Sequence, residues 1–229
     1  PLSSPLIPEL TPTTYFGLQH PDFRRFGIMV IDGENWISLG TDPWIAISEL
    51  PSQGRHMQQN VMAALAICFR FKLDKEATRA VIRQFKELPH RMQELGTVRG
   101  IRFINDSKGT NVGASENAIR STAVEGTEIH LIAGGQTKDA NFARWAETAI
   151  ALCKSIIVYG RDRRKIVKAL ADRAVSVESL DLAFIHATRN AKTGDVVLLS
   201  PACSSFDQFL DYQDRGLYFT RLVEEFRAV

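Results

Sequence analysis

The 229-residue sequence predicts an α/β fold whose larger part is a doubly wound, mostly parallel sheet. Three observations predict it. Five short, nearly continuous apolar runs recur after Gly100: IRFIN (101–105), IHLIAGG (129–135), SIIVYG (155–160), VSV (175–177) and VVLLS (196–200). Helical stretches separate them at 114–123, 142–152, 163–173 and 180–191, and a last one follows from Ser205. Strands this apolar are expected to be buried on both faces, which needs helices above and below the sheet.

Ahead of Gly100 the pattern differs. The chain opens at Pro1, without Met, on PLSSPLIPELTPTTY, which fits either a flexible arm or a cut through a longer protein. Residues 27–39, GIMVIDGENWISL, read as two strands around an Asp32-Gly33 turn, the signature of a β-hairpin. After 43–52 comes QQNVMAALAICFRF (58–71), where Val61, Ala64, Leu65 and Cys68 share one helical face. Asp74 suits the N-cap of a second helix reaching Glu87, with Val81, Ile82 and Phe85 inward, and Leu88-Pro89 stops it. A boundary is expected there, dividing the chain into 1–90 and 91–229. In the second region, Asp162 and Ser179 stand where N-caps belong.

Composition narrows the function classes. An apolar fraction of 45% and a charged fraction of 24% are ordinary for a soluble globular protein. A net charge of +2 gives no electrostatic reason for nucleic acid or an anionic membrane as main partner. Cys68, Cys153 and Cys203 share no CxxC spacing, which favours a reducing compartment over a disulfide framework or metal cluster. No apolar run approaches the ~20 residues that span a bilayer. A cytoplasmic protein with no nucleic-acid and no membrane partner is expected. His56, His90, His130 and His186 have no shared metal spacing, no Gly-x-Ser-x-Gly elbow occurs, and Cys203 has no evident base in sequence. Covalent catalysis is not indicated.

Ligands of open α/β sheets sit beyond the carboxyl ends of the strands. The segments there are NDSKGTN (105–111), GGQTKDAN (134–141) and SPACSSFDQF (200–209), rich in small residues, hydroxyls and lysines. Each has a plain alternative. Gly134-Gly135 suits a tight turn, Lys108 and Lys138 suit solvated surface, Asp106 suits a local turn, and Ser204-Ser205 suit a helix cap. Taken together, a serine pair at a helix start beside two lysines makes an anion site for a dicarboxylate or phosphate.

Five segments, GRHMQQNVMAALA (54–66), LPHRMQ (88–93), INDSKGTN (104–111), LIAGGQTKDANF (131–142) and LLSPACSSFDQFLDYQDRGLYF (198–219), resemble the Mur ligase family in order and spacing across roughly residues 13–226. The loops at 106–111 and 200–209 resemble its D-glutamate-adding branch.

That resemblance implies a Rossmann-like carboxyl-terminal domain over 91–229, preceded over 1–90 by part of the family's central ATPase domain. It implies ATP-dependent joining of D-glutamate to UDP-N-acetylmuramoyl-L-alanine through an acyl phosphate, with Mg²⁺ offsetting charge. By position it assigns Asn60, Arg91 and Asp106 to ATP, and Lys108, Thr110, Lys138, Ser205, Phe206 and Tyr212 to D-glutamate. Two departures stand out. Met57 replaces the family's usual Asn beside the adenine. No Gly-x-x-x-x-Gly-Lys-[Ser/Thr] phosphate loop occurs, and the catalytic centre and most magnesium ligands are expected outside this chain, which alone is expected to lack turnover. A binding module that exists naturally at this length is the alternative. A nucleotide-binding oxidoreductase would need a Gly-x-Gly-x-x-Gly turn, which is absent.

Overall fold

A computed structural model describes residues 13–52, 54–86, 88–124 and 126–228, apart from the side chain of His56. The Pro- and Ser-rich stretch of residues 1–12 lies outside the described residues, as does Glu87. Contacts divide the chain into two units, 1–86 and 87–229.

In the first unit, strands β1 (Tyr15–Phe16), β2 (Arg25–Ile31), β3 (Glu34–Leu39) and β4 (Asp42–Ala46) form a sheet in that order. β2 and β3 are the expected hairpin, with Asp32 and Gly33 at φ 49° and 83°. Both are left-handed, as a two-residue turn between twisted strands requires. β4 had no sequence signal because Pro43 interrupts it. The strand lies at the sheet edge, where a missing N–H is tolerated.

Helix α1 (Arg55–Cys68) runs into a short 3₁₀ turn, and α2 (Lys75–Gln84) follows. Asp74 caps α2 as expected, its carboxylate accepting the Ala77 N–H at 2.8 Å. Met57, Val61, Met62 and Leu65 bury one face of α1 against Phe26, Ile37, Trp44 and Ile45. The inward face is therefore shifted from the expected one: Ala64 is exposed and Cys68 half-buried. Of the expected inward side of α2, Ile82 packs against that core, whereas Val81 is 69% and Phe85 47% exposed. Both border an apolar groove of about 470 Å³ between α1 and α2, which Asn60 also lines. Periodicity marks an apolar face correctly; it does not say whether the unit contains anything to cover it.

In the second unit, β5 (Gln93–Val98), β6 (Ile101–Asn105), β7 (Ile129–Gly134), β8 (Cys153–Tyr159), β9 (Val175–Ser176) and β10 (Val196–Leu199) form a six-stranded sheet. Its order is β5-β6-β10-β7-β8-β9, and all pairings are parallel except β5 with β6. Alternate residues supply two separate cores. Leu131, Ala133, Ile156, Val158 and Leu198 face α3 (Val112–Thr122), α4 (Ala143–Leu152) and α5 (Arg163–Ala169). Ile132, Ile157, Val197 and Leu199 face α6 (Leu180–Asn190) and α7 (Tyr212–Ala228). Helices on both faces make the sheet doubly wound, as the apolar runs predicted.

Two expectations change here. No helix starts at Ser205: residues 205–209 form a hydrogen-bonded turn, and α7 begins at Tyr212. Asp211 supplies the cap, its carboxylate accepting the Gln213 and Asp214 N–H groups at 2.7 and 2.8 Å. Asp162 precedes α5 but does not cap it. Ser179 does cap α6, accepting from Leu182. At the amino ends of the central strands, His130 is buried between Ser155 Oγ (2.7 Å) and Asp195 Oδ2 (3.0 Å), a polar link within the core. No helix among the described residues is long and apolar enough to cross a membrane.

Candidate functional site

Sheet order decides which loops meet. β10 lies between β6 and β7, so the loops after these three strands are neighbours at one carboxyl edge. They are the three segments singled out from the sequence.

Backbone and side-chain bonds fasten them together. Gln136 and Ser204 exchange backbone hydrogen bonds at 3.0 and 3.1 Å, joining the β7 loop to the β10 loop. Gly134 sits at φ 129°, and a Cβ there would lie 2.0 Å from the Tyr159 carbonyl oxygen. Only glycine satisfies both the angle and the approach. Ser200 Oγ donates to Asp106 Oδ2 at 2.7 Å, joining the β10 loop to the β6 loop. Gly109 is needed beneath that bond, because a Cβ would fall 2.4 Å from Asp106 Oδ2.

The residues assigned to ATP do not all share one unit. Asn60 is exposed in the first unit, on the α1–α2 groove. Met57, the departure beside it, is buried in that unit's core at 3% exposure. Arg91 and Asp106 belong to the second unit, and Arg91 is exposed. Asp106 is buried, accepting from Ser200 Oγ and from the Met92 N–H at 3.3 Å. Burial pushes its carboxyl up to about 6, against the opposing bonds from Ser200 and Met92 and the charges of Arg215 and Arg91.

The residues assigned to D-glutamate all lie in the second unit. Lys108 Nζ stands 4.0 Å from the centre of the Tyr212 ring, a cation–π contact that holds it over the α7 start. The Lys108 N–H donates to the His90 carbonyl at 2.9 Å, and the Thr110 N–H donates to the Lys108 carbonyl. Lys138 is exposed in a left-handed turn at φ 47°. Ser205 is buried, whereas the neighbouring Phe206 projects with 66% of its surface exposed. Thr137 donates from its N–H and hydroxyl to Asp162 Oδ2 at 2.9 and 3.1 Å. The backbone bond foremost holds the Asp162 carboxyl below its usual range, so it stays charged and anchors the turn that carries Lys138.

Beneath these residues lies a polar layer that sequence reasoning missed. Asn105, fully buried, donates to the Gly216 carbonyl at 2.9 Å and accepts from the Ser107 N–H at 3.1 Å. Its amide also meets His90 Nδ1 at 3.2 Å. Burial lowers the His90 ring below its usual range, against the raising pull of Asp211, which suits a neutral acceptor nitrogen. Arg215 is fully buried as well. A signal for it existed: Arg215 and Gly216 share a helical stripe with Phe219 and Val223. Burial pushes the Cys203 thiol up to about 12. Among the described residues no cluster of three His, Cys, Asp or Glu side chains could hold a metal ion.

Comparison with known proteins bears on the family and the fold. Residues 90–203 match the family described as Mur ligase, glutamate ligase domain. The chain is 42% identical over 228 residues to the UDP-N-acetylmuramoylalanine–D-glutamate ligase of Pseudomonas fluorescens, covering 98% of this chain and 51% of that protein. The ligase of the same name from Marinobacter nauticus is 41% identical, over 97% of this chain and 50% of its own length. The chain thus spans about half the length of the curated relatives it matches. Among solved structures, a Thermotoga maritima UDP-N-acetylmuramate–alanine ligase superposes with a TM-score of 0.62 at 15% identity, over 89% of this chain and 46% of its own. Escherichia coli FolC in complex with ADP gives 0.61 at 18%, over 90% and 48%. Those two likenesses speak for the fold, and the sequence matches go further: the chain belongs to the Mur ligase family.

Proposed function

We propose that this chain is the D-glutamate-binding half of an ATP-dependent amide ligase that joins D-glutamate to UDP-N-acetylmuramoyl-L-alanine. The observation that carries the proposal is the fastening of three loops at one carboxyl edge, bringing Lys108, Thr110 and Tyr212 to the same edge as Lys138, Ser205 and Phe206. The two lysines offer compact positive charge to the carboxylates of a dicarboxylic amino acid, and Thr110 and Ser205 offer hydroxyls. Tyr212 steers Lys108 through its ring. The pocket's task is to hold the amine of D-glutamate in line with an activated carboxyl group, which lowers the entropic cost of attack.

ATP, when bound, supplies the phosphoryl group that activates the acceptor carboxylate. Arg91, exposed and close enough to Asp106 to influence its titration, fits the phosphates as a cation. Asp106 fits less simply, since both its oxygens already hold protein donors, so it orders the loop from within. Asn60 completes the ATP assignments from residues 1–90, read as part of the ATPase domain without its phosphate loop. The apolar α1–α2 groove supports that reading, because a complete domain would cover such a face. Magnesium is assigned to donors outside this chain. The half-length match to the relatives fits the same division. A UDP-linked acceptor and free cysteines favour the cytoplasm.

The test is amide-ligase activity of a polypeptide carrying this chain at the relatives' full length, with ATP and UDP-N-acetylmuramoyl-L-alanine across a panel of amino acids. Activity with D-glutamate, abolished by Lys138→Ala or Ser205→Ala, is expected. Activity with a different amino acid alone refutes the specificity. The 229-residue chain by itself is expected to bind D-glutamate weakly, near millimolar, and to release no ADP.

A further inference from the structure

Arg215 is an unusual choice for the interior. Its guanidinium is fully buried and makes no ion pair among the described residues, though its charge reaches the buried Asp106 carboxyl. Nε donates to Ser107 Oγ at 2.9 Å, Nη2 to the Ser107 carbonyl at 2.8 Å, and Nη1 to the Cys203 carbonyl at 3.2 Å. Ser107 Oγ in turn donates to the Tyr212 carbonyl at 2.7 Å. One cation therefore fastens the β6 loop, the β10 loop and the first turn of α7. Lys108 adjoins Ser107, Ser205 lies two residues past Cys203, and Tyr212 is reached through Ser107 Oγ.

Packing alone would not select this residue. Burying a charge against neutral carbonyls is costly, and an apolar side chain of similar volume would fill the space at less expense. What an arginine adds is a fork that fixes several acceptors at once, and a positive charge that solvent ions screen little. Both properties serve a pocket whose ligand carries two carboxylates.

We infer that Arg215 is a positioning residue of the dicarboxylate pocket, setting the spacing of Lys108, Ser205 and Tyr212 and adding a buried positive charge beneath them. The inference rests on the D-glutamate reading of this edge. It deepens that reading by assigning part of the pocket's affinity to a residue that never touches the ligand.

The experiment titrates the 229-residue chain with D-glutamate, following the amide signals of Lys108 and Gly109, in the native, Arg215→Met, Arg215→Lys and Ser107→Ala forms. The indole signal of Trp145, the one tryptophan in the second unit, reports that the unit is folded. Folded Arg215→Met is expected to lose roughly tenfold or more in affinity, the equivalent of one charge-assisted contact. That loss should persist at high salt, whereas the loss from Lys138→Ala at the exposed turn should shrink. Arg215→Lys, keeping the charge without the fork, is expected to fall between native and Met, and Ser107→Ala to weaken binding without abolishing it.

Native affinity in folded Arg215→Met overturns the inference, since a purely structural role would lower stability alone. If the Met form does not fold, native affinity in Arg215→Lys overturns it instead. If the native chain ignores D-glutamate, the same series is run with succinate and inorganic phosphate. Arg215-dependent binding of succinate refutes the D-glutamate reading and leaves the dicarboxylate pocket standing, whereas binding of phosphate alone overturns both. Binding of none overturns both.

Discussion

Replacing Asp106 by Asn should stabilise the second unit, and only at neutral to alkaline pH. Asp106 is buried at 6% exposure, and its carboxyl is raised from 3.8 to about 6 by that burial. Ionising it in the folded protein therefore costs about 3 kcal/mol more than in the unfolded chain. Because the folded value is the higher one, the native state gains from the proton below about pH 4. That gain is lost as pH rises through 6. The amide of the Asp106→Asn form has no such proton to lose. It keeps one oxygen for the Ser200 hydroxyl, and gives up the weaker contact from the Met92 N–H at 3.3 Å.

The net expectation is a gain of about 1–3 kcal/mol at pH 8 and a difference within about 1 kcal/mol at pH 4. Urea unfolding followed by the Trp145 indole signal, across pH 4 to 8, measures it. Trp145 suits the purpose because it is buried and donates to Ser115 Oγ within the second unit. A stability difference that does not change with pH would refute the reasoning, as would an Asn form less stable than native at pH 8. The same variant should weaken ATP-dependent turnover in a full-length enzyme, which would explain why an acid with a stability cost is kept.

Other perturbations follow from particular contacts. Gly134→Ala, forcing a Cβ at 2.0 Å from the Tyr159 carbonyl, should destabilise the second unit by about 3 kcal/mol or prevent folding, read by the same signal. Asp74→Ala removes the α2 cap and should cost the first unit about 1 kcal/mol in thermal unfolding. Val81→Ser should change that unit's stability by no more than about 0.5 kcal/mol, because its side chain faces an open groove. A loss of about 2 kcal/mol there would mean that the groove is closed in solution.

Much of the second unit was legible because its strands are buried on both faces. IRFIN became β6 without a shift of either end, and the runs at 129–135 and 196–200 became β7 and β10 to within a residue. β5 was not legible: QELGTV is polar, half-exposed and broken by a bulge near Gly96, as an antiparallel edge strand can be. The start of α7 was misplaced because Ser204-Ser205 look like a cap, while Asp211 seven residues after Ser204 does the capping. At the candidate site, the loops were legible by composition and position. Their support was not. Arg215 and Asn105 belong to types that composition assigns to the surface; the stripe with Phe219 and Val223 marks Arg215 as inward, but only the fold reveals which carbonyls each one meets. Val81 and Phe85 show the converse, an apolar pattern read as core that no described residue of its own unit covers.

The most direct test of the account is an amide-shift map of this chain titrated with D-glutamate and, separately, L-glutamate. Shifts confined to residues 106–110, 134–138 and 204–212, saturating near millimolar D-glutamate and much weaker with the L form, are predicted. Equal response to both forms, or shifts away from these three loops, would contradict the assignment of this sheet edge to D-glutamate.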